Sequence, residues 1–321
     1  MKIRILTIGS SSMITSVILG RFPNPGQAVT ADKYAMRPGG HGLLTAIAIS
    51  KLGGDSIFCS AVGEDGYAGA VRDICRGYGV DTRFIACKSG IRTGASALIY
   101  SDGGVCTPIE IPGSNLRLEE EDIEDAFTCL PDALLVQGCG ISPSLITYAV
   151  NEAGRRKIPV IADLAGADAE LSLEKLTKAD IVIVDSAAAE AFTGVVPSGE
   201  QTCLRAAGII EQRVKTRYTI ILLDDKRGIF LSDNKYHEMI SPFSIIPVDL
   251  SASEESYIGA LTLDYIRGSV DRGRDINHAC TYAALAKAWT LATKGSASSM
   301  PTSSDLYSLV KNNGIDFVFY D

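Results

Sequence analysis

Histidine, tryptophan and positive charge are all scarce in this chain. Its 321 residues include three histidines (His41, His237 and His278) and one tryptophan (Trp289), and 30 Lys plus Arg stand against 38 Asp plus Glu, a net charge of −8. With that deficit and no basic run, the electrostatic footprint of nucleic-acid or anionic-membrane binding is missing. The eight cysteines (Cys59, Cys75, Cys87, Cys106, Cys129, Cys139, Cys203 and Cys280) include no C-x-x-C pair, which excludes a zinc ribbon or finger; no metal site is expected. No apolar run approaches the roughly 18 residues of a membrane span, and the N-terminus lacks a signal peptide's apolar core. The expected location is the cytoplasm, with reduced thiols. Also absent are G-x-x-x-x-G-K-[ST], a G-x-G-x-x-G after the first apolar run, G-x-S-x-G and H-E-x-x-H, so P-loop, Rossmann and simple hydrolase chemistry are set aside.

What is present is an ordinary globular composition, 46% hydrophobic and 21% charged, in a chain long enough to bury roughly 75% of its extended surface. Short β-rich runs alternate with helical patterns: Ile3 to Ile8 then Gly42 to Leu52, Ser56 to Val62 then Tyr67 to Gly77, Ala133 to Gln137 then Ser142 to Arg155. The alternation continues through Pro159 to Asp163, Ile181 to Val184, a helix around Ala187 to Phe192, and Thr219 to Leu223. Two long helices follow, Glu254 to Arg267 and Asp275 to Thr293. This predicts an α/β domain with a mostly parallel sheet covered by helices on both faces. Two stretches break the pattern: Val17 to Met36, and Thr93 to Ile111, which reads as a hairpin turned at Asp102-Gly103-Gly104. The expectation is one domain over 1–321 with a small β-sheet lid formed by about 14–37 and 93–111.

A set of short motifs runs through this frame in fixed order: GSSS at Gly9, FPNPGQ at Phe22, PGGHG at Pro38, SKLGG at Ser50, VGEDGYAG at Val62, GVDT at Gly79, TGAS at Thr93, PGSN at Pro112, FTG at Phe192, and VDL followed by YIGAL from Val248 to Leu261. The series resembles the ribokinase (PfkB) family of carbohydrate kinases over nearly the whole chain. The resemblance implies a ribokinase-like three-layer α/β/α domain, a small β lid, and a cleft in which a sugar-like ligand meets Mg-ATP. It implies phosphorylation of a sugar or nucleoside hydroxyl, and a homodimer formed through the lid. In that chemistry a carboxylate accepts the hydroxyl proton while N–H groups at a helix N-terminus hold the phosphoryl charge.

The family's D-T-x-G-A-G-D segment falls on Asp249 to Glu255. Glu255 takes the catalytic position, one methylene longer than Asp, and Ala252, Ser253 and Glu254 take the anion-holding positions, with a carboxylate in place of a glycine. Among substrate contacts, Gly39, Gly40 and Asp249 are kept, while Ile14 stands for an Asp and Leu44 for an Asn. The nucleotide positions are Asp185, Asp225 and Gly228; the Glu that should follow Asp185 is missing, and Asp225 replaces a glycine. Considered by themselves, Ser251 and Glu254 ahead of Tyr257, Ile258, Leu261 and Tyr265 spell an S-x-x-E capping box, which would occupy the helix end with the protein's own side chains. His41 is expected to meet water, and Trp289 to be core.

These departures predict a carbohydrate kinase family member whose phosphoryl transfer is weak or absent. The alternatives are a metabolite-binding pseudokinase or regulator, an active kinase with Glu255 as base, and another enzyme on the same fold. Ile14 and Leu44 further predict a ligand less hydroxylated or more apolar than ribose.

Overall fold

The computed structural model describes residues 2–101, 106–223, 227–271 and 275–320. In chain order the strands are β1 (Arg4–Ile8), β2 (Ser12–Ile18), β3 (Lys33–Gly39), β4 (Asp55–Gly63), β5 (Ile85–Lys88), β6 (Gly94–Tyr100), β7 (Cys106–Ile111), β8 (Ala133–Gln137), β9 (Val160–Asp163), β10 (Ile181–Asp185), β11 (Tyr218–Leu222), β12 (Ile229–Ser232) and β13 (His237–Ile240). The helices are α1 (His41–Lys51), α2 (Gly66–Gly77), α3 (Glu120–Phe127), α4 (Pro143–Arg155), α5 (Ser186–Thr193), α6 (Glu200–Val214), α7 (Ser253–Asp271), α8 (Ile276–Leu291) and α9 (Ser303–Asn313).

Nine strands form one sheet in the order β13-β12-β11-β10-β9-β8-β1-β4-β5. Its pairings are parallel except at one edge, where β12 and β13 run antiparallel. The central strands are apolar at nearly every position because both faces are covered. Leu6, Leu134, Val136, Val182 and Val184 pack with α3 to α6, while Ile5, Ala133, Leu135, Ile181 and Ile183 pack with α7 to α9. The three-layer α/β fold expected from the alternation is therefore present.

A second sheet, β3-β2-β6-β7, stands apart from the first, with β2 and β6 parallel and both outer pairings antiparallel. The hairpin of β6 and β7 forms as expected; its turn residues Asp102, Gly103 and Gly104 lie outside the described residues. Cross-strand partners share a face, so Ile14, Ser16, Arg37, Ala35, Ser96, Leu98 and Glu110 lie on one side, and Tyr34, Met36, Ile109 and Ile111 on the other. The first side roofs the C-terminal ends of the parallel strands, where ligands enter open α/β sheets. No described helix is long and apolar enough to cross a membrane.

Candidate active site

A cleft of about 230 Å³ lies between the small sheet and the N-terminus of α7. It brings together Ile14 from β2, Gly40, Leu44 from α1, and Ala252 and Glu255 from the catalytic segment, along with Ser10, Ser12, Arg37, His41, Leu98 and Glu110. Gly39 ends β3 just outside. A Cβ there would stand 2.3 Å from Ile14 Cδ1, so the bare Cα is what lets Ile14 enter the wall. The cleft is apolar where Ile14, Leu44, Leu98 and Leu250 face it, and ionic where α1 meets α7.

His41, the first residue of α1, places Nδ1 3.2 Å from Glu255 Oε1 and shares a hydrogen bond with Cys139. Enclosure by protein disfavours the charged ring, but the Cys139 contact and the carboxylates of Glu255 and Asp163 outweigh it, and the imidazole pKa is raised well above 6.5. His41 is not simply a water-facing side chain, contrary to the sequence expectation. Its side chain is 37% exposed against 11% for Glu255, so the pair is closed on the protein side and open toward the cleft.

Behind the pair lies a layer that the motifs did not reveal. Asp163, at the end of β9, is buried; its Oδ2 accepts from Gln137 Nε2 at 2.9 Å and its Oδ1 from the Ala165 amide at 3.1 Å. Burial pushes its carboxyl up to about 6, with the Gln137 bond and the His41 charge opposing. Gln137 also donates to Thr45 Oγ1 at 3.2 Å, and its buried Oε1 has no partner. The signal for Gln137 and Asp163 was their place as polar residues closing apolar strands, a common origin of site residues in parallel sheets.

The anion-holding segment departs from the capping expectation. Among the described residues no hydrogen bond joins Ser251 and Glu254: the Ser251 hydroxyl bonds Tyr100 and accepts weakly from Arg37 at 3.5 Å, and its amide donates to Asp249 Oδ1 at 2.9 Å. The box is not formed because the lid and Asp249 claim Ser251. Ala252, just before α7, has φ +62°, a left-handed value that costs a residue with a Cβ about 1–2 kcal/mol. Glu254 is half-buried; burial and the adjacent Glu255 charge push its carboxyl up to about 6, opposed by Lys287 and His41. Ser253 is buried at the first position of α7.

The remaining assigned residues lie elsewhere. Asp249 faces a neighbouring cavity, where Ser251 and Gly295 amides donate to its carboxylate. Asp185 closes β10 and caps α5, accepting from the Ala188 amide at 2.6 Å. Gly228, at φ +81°, lines a small cavity of about 60 Å³ with Phe243, Ala284, Lys287 and Ala288. That volume is far below the several hundred Å³ of a typical ligand pocket. Asp225 lies outside the described residues. Trp289 is half-buried against the α7–α9 side of the core and lines a separate cavity with Phe243 and Leu309. Among the described residues no three His, Cys, Asp or Glu side chains are grouped to hold a metal ion. A magnesium ion here would draw most of its ligands from nucleotide phosphates and water, its usual habit.

The chain matches the pfkB family carbohydrate kinase profile over residues 2–303. It belongs to the pfkB family. The ribokinase of Haemophilus influenzae is 25% identical over 304 residues, covering 94% of this chain and 96% of the relative. The deoxyribokinase of Salmonella typhimurium is 23% identical over 302 residues, covering 93% and 95%. Among solved structures, ribokinase from Giardia lamblia superposes with a TM-score of 0.87 at 21% identity, covering 96% of this chain and 100% of that one. Arabidopsis thaliana ribokinase complexed with ribose and ATP superposes at 0.84 with 19% identity, covering 97% and 99%. The pfkB fold, with its large sheet and separate small sheet, is thus the architecture of this chain.

Proposed function

We propose that this pfkB family member is an ATP-dependent sugar kinase that uses Glu255 as proton acceptor and turns over slowly. The observation that carries this reading is Ala252: the backbone before α7 keeps a left-handed bend natural to glycine although an alanine must strain to adopt it. The cleft reaches the start of α7 at Ala252 and Glu255, an end of a helix that favours an anion, and the capping box that would have filled it is not formed. In the reaction the acceptor hydroxyl passes its proton to Glu255 while its oxygen takes the terminal phosphoryl group of ATP and ADP leaves. His41 holds the Glu255 carboxylate in place from 3.2 Å. Turnover is slowed by Glu254, whose charge opposes the incoming phosphates.

A coupled assay for ADP release across pentoses, deoxypentoses and hexoses tests this, with Glu255→Gln as control. Expected is turnover below the roughly 1–100 per second of typical kinases, lost in the variant. Turnover in that ordinary range would overturn the attenuation, and turnover surviving in Glu255→Gln would overturn the assignment of the base.

The second reading is a metabolite-binding pseudokinase, favoured by the narrowness of the cavity beside Gly228 and by Asp185 being taken up in capping α5. It predicts no stabilisation by millimolar Mg-ATP, whereas a ligand at 100 times its Kd adds about 2.7 kcal/mol. We also propose a cytoplasmic homodimer through the outer face of the small sheet, supported by Tyr34, Met36, Ile109 and Ile111, which are 75%, 48%, 48% and 54% exposed on one apolar face. Light scattering of Ile109→Asp, expected monomeric, checks it.

A further inference from the structure

A second cavity, of about 390 Å³, adjoins the cleft and shares Arg37, Tyr100 and Ser251 with it. Its walls carry three cationic side chains, Lys33 and Arg37 from β3 and Lys294 from the turn after α8, and one carboxylate, Asp249. Strand pairing explains the clustering: Lys33 lies opposite Ile18 and Arg37 opposite Ile14, so both fall on the face of the small sheet that roofs the cleft. Asp249, held by backbone amides of Ser251 at 2.9 Å and Gly295 at 3.0 Å, offsets one of the three charges and leaves the cavity with an excess of positive charge. None of the three cations is ion-paired among the described residues. Arg37 makes one 3.5 Å contact, to Ser251 Oγ, and its buried Nε has no partner. A buried donor left unsatisfied calls for an explanation, and a guanidinium fork is shaped to bind a carboxylate or phosphate through two parallel bonds.

Of the two carboxylates in the cleft itself, Glu255 has a cationic partner and Glu110 keeps its charge against a neutral hydroxyl. Glu110 accepts from Ser96 Oγ at 2.5 Å, and Glu255 pairs with His41. In a protein of net charge −8, three cations against one carboxylate in this second cavity are a local excess of positive charge, which draws in anionic ligands.

We infer that the acceptor substrate carries an anionic group, a carboxylate or a phosphate, held by Arg37 with Lys33 and Lys294, while its body lies against Ile14, Leu44 and Leu98. This rests on the cleft being the acceptor site. It accounts for the aliphatic residues at Ile14 and Leu44: one charge-assisted anchor, about twice as strong as a neutral hydrogen bond, does the holding that these two side chains, without a polar atom, cannot do for a substrate hydroxyl.

The test is calorimetric titration of the full chain, without nucleotide, with ribose, ribose 5-phosphate and gluconate. Expected is binding of ribose 5-phosphate or gluconate at least tenfold tighter than ribose; the two arms separate phosphate from carboxylate. The preference should shrink as salt rises from about 0.05 M to 0.5 M, where the screening length falls below 5 Å or so. It should drop at least tenfold in Arg37→Gln and severalfold in the exposed Lys294→Gln, which carries the test if the arginine variant does not fold. No preference for either anion, including no binding of any of the three, overturns the inference. So does a preference retained in both variants, or a loss of Mg-ATP affinity in Arg37→Gln as large as the loss for the anion. Phosphoryl transfer is not read in this experiment, so failure of the kinase reading appears separately, as anion binding without ADP release in the coupled assay.

Discussion

His41 Nδ1 lies 3.2 Å from Glu255 Oε1, joining the start of α1 to the start of α7 at the floor of the cleft. The contact sets the orientation of the proposed base and supplies its nearest positive charge. Because the folded-state pKa of His41 is raised, its contribution to stability is fully present below about 6.5 and is lost as pH rises through the higher folded value. His41→Gln should therefore lower stability most on the acid side of neutrality and flatten the alkaline fall in melting temperature. It should also lower kcat by about tenfold or more with a smaller change in KM, the signature of a positioning role.

On the kinase reading, Glu254 should make nucleotide binding dependent on pH. With its carboxyl near 6, it is largely neutral at pH 5 and charged at pH 7.5, so Mg-ATP should bind more tightly at the lower pH. A unit charge about 4 Å away costs up to about 4 kcal/mol at an effective dielectric of 20. Glu254→Gln should tighten binding about tenfold or more at pH 7.5, equivalent to about 1.4 kcal/mol, and reduce the pH dependence. Thermal-shift titration at the two pH values checks both.

The raised carboxyl of Asp163 works against stability. The native state holds this proton up to about pH 6 and the unfolded chain only to about 4, so stability falls as pH rises between those values, by about 3 kcal/mol for a shift of about two units. Asp163→Asn should remove that loss. Gln137 can reverse its amide to present the Oε1 that now lacks a partner, so the variant should fold normally at neutral pH, as denaturant titration would reveal.

Ala252→Gly should relieve the left-handed strain. The gain of about 1–2 kcal/mol is partly offset by the roughly 0.5–1 kcal/mol of extra freedom glycine gives the unfolded chain, leaving a net stabilisation of up to about 1.5 kcal/mol. Thermal unfolding of the variant beside the parent protein checks the gain. ADP release should be unchanged or faster, because glycine adopts the same left-handed bend without strain.

The central architecture was legible because its strands are continuous apolar runs: Ala133 to Gln137 is β8 to the residue, and β1, β4, β9 and β10 begin and end within one residue of the runs that announced them. The four-residue strands β12 and β13 and the helices α6 and α9 carried too weak a pattern to be legible. The inward side of α6 is built largely from Cys203, Ala206 and Ala207, small residues that make a weak stripe, with only Ile210 and Val214 to mark it. In the small sheet the break seen at Val17 to Met36 was mostly the connection; β2 and β3 lie at its two ends, starting at Ser12 and finishing at Gly39.

The covalent order alone determined that Glu254 and Glu255 are neighbours in the catalytic segment, that Ile14 and Leu44 are aliphatic, and that the chain alternates strands and helices. Those properties are local, and periodicity and motif spacing report them directly. The pairing of His41 with Glu255, the burial of Asp163, the diversion of Ser251 from its capping role and the gathering of Lys33, Arg37 and Lys294 were decided by tertiary structure. Each depends on the distance between segments remote in sequence and on the water excluded between them. Gly259 illustrates the cause: a Cβ there would stand 2.8 Å from Ala48 Cβ, so its bare surface lets α7 close on α1 and bring the two ends of the ion pair together.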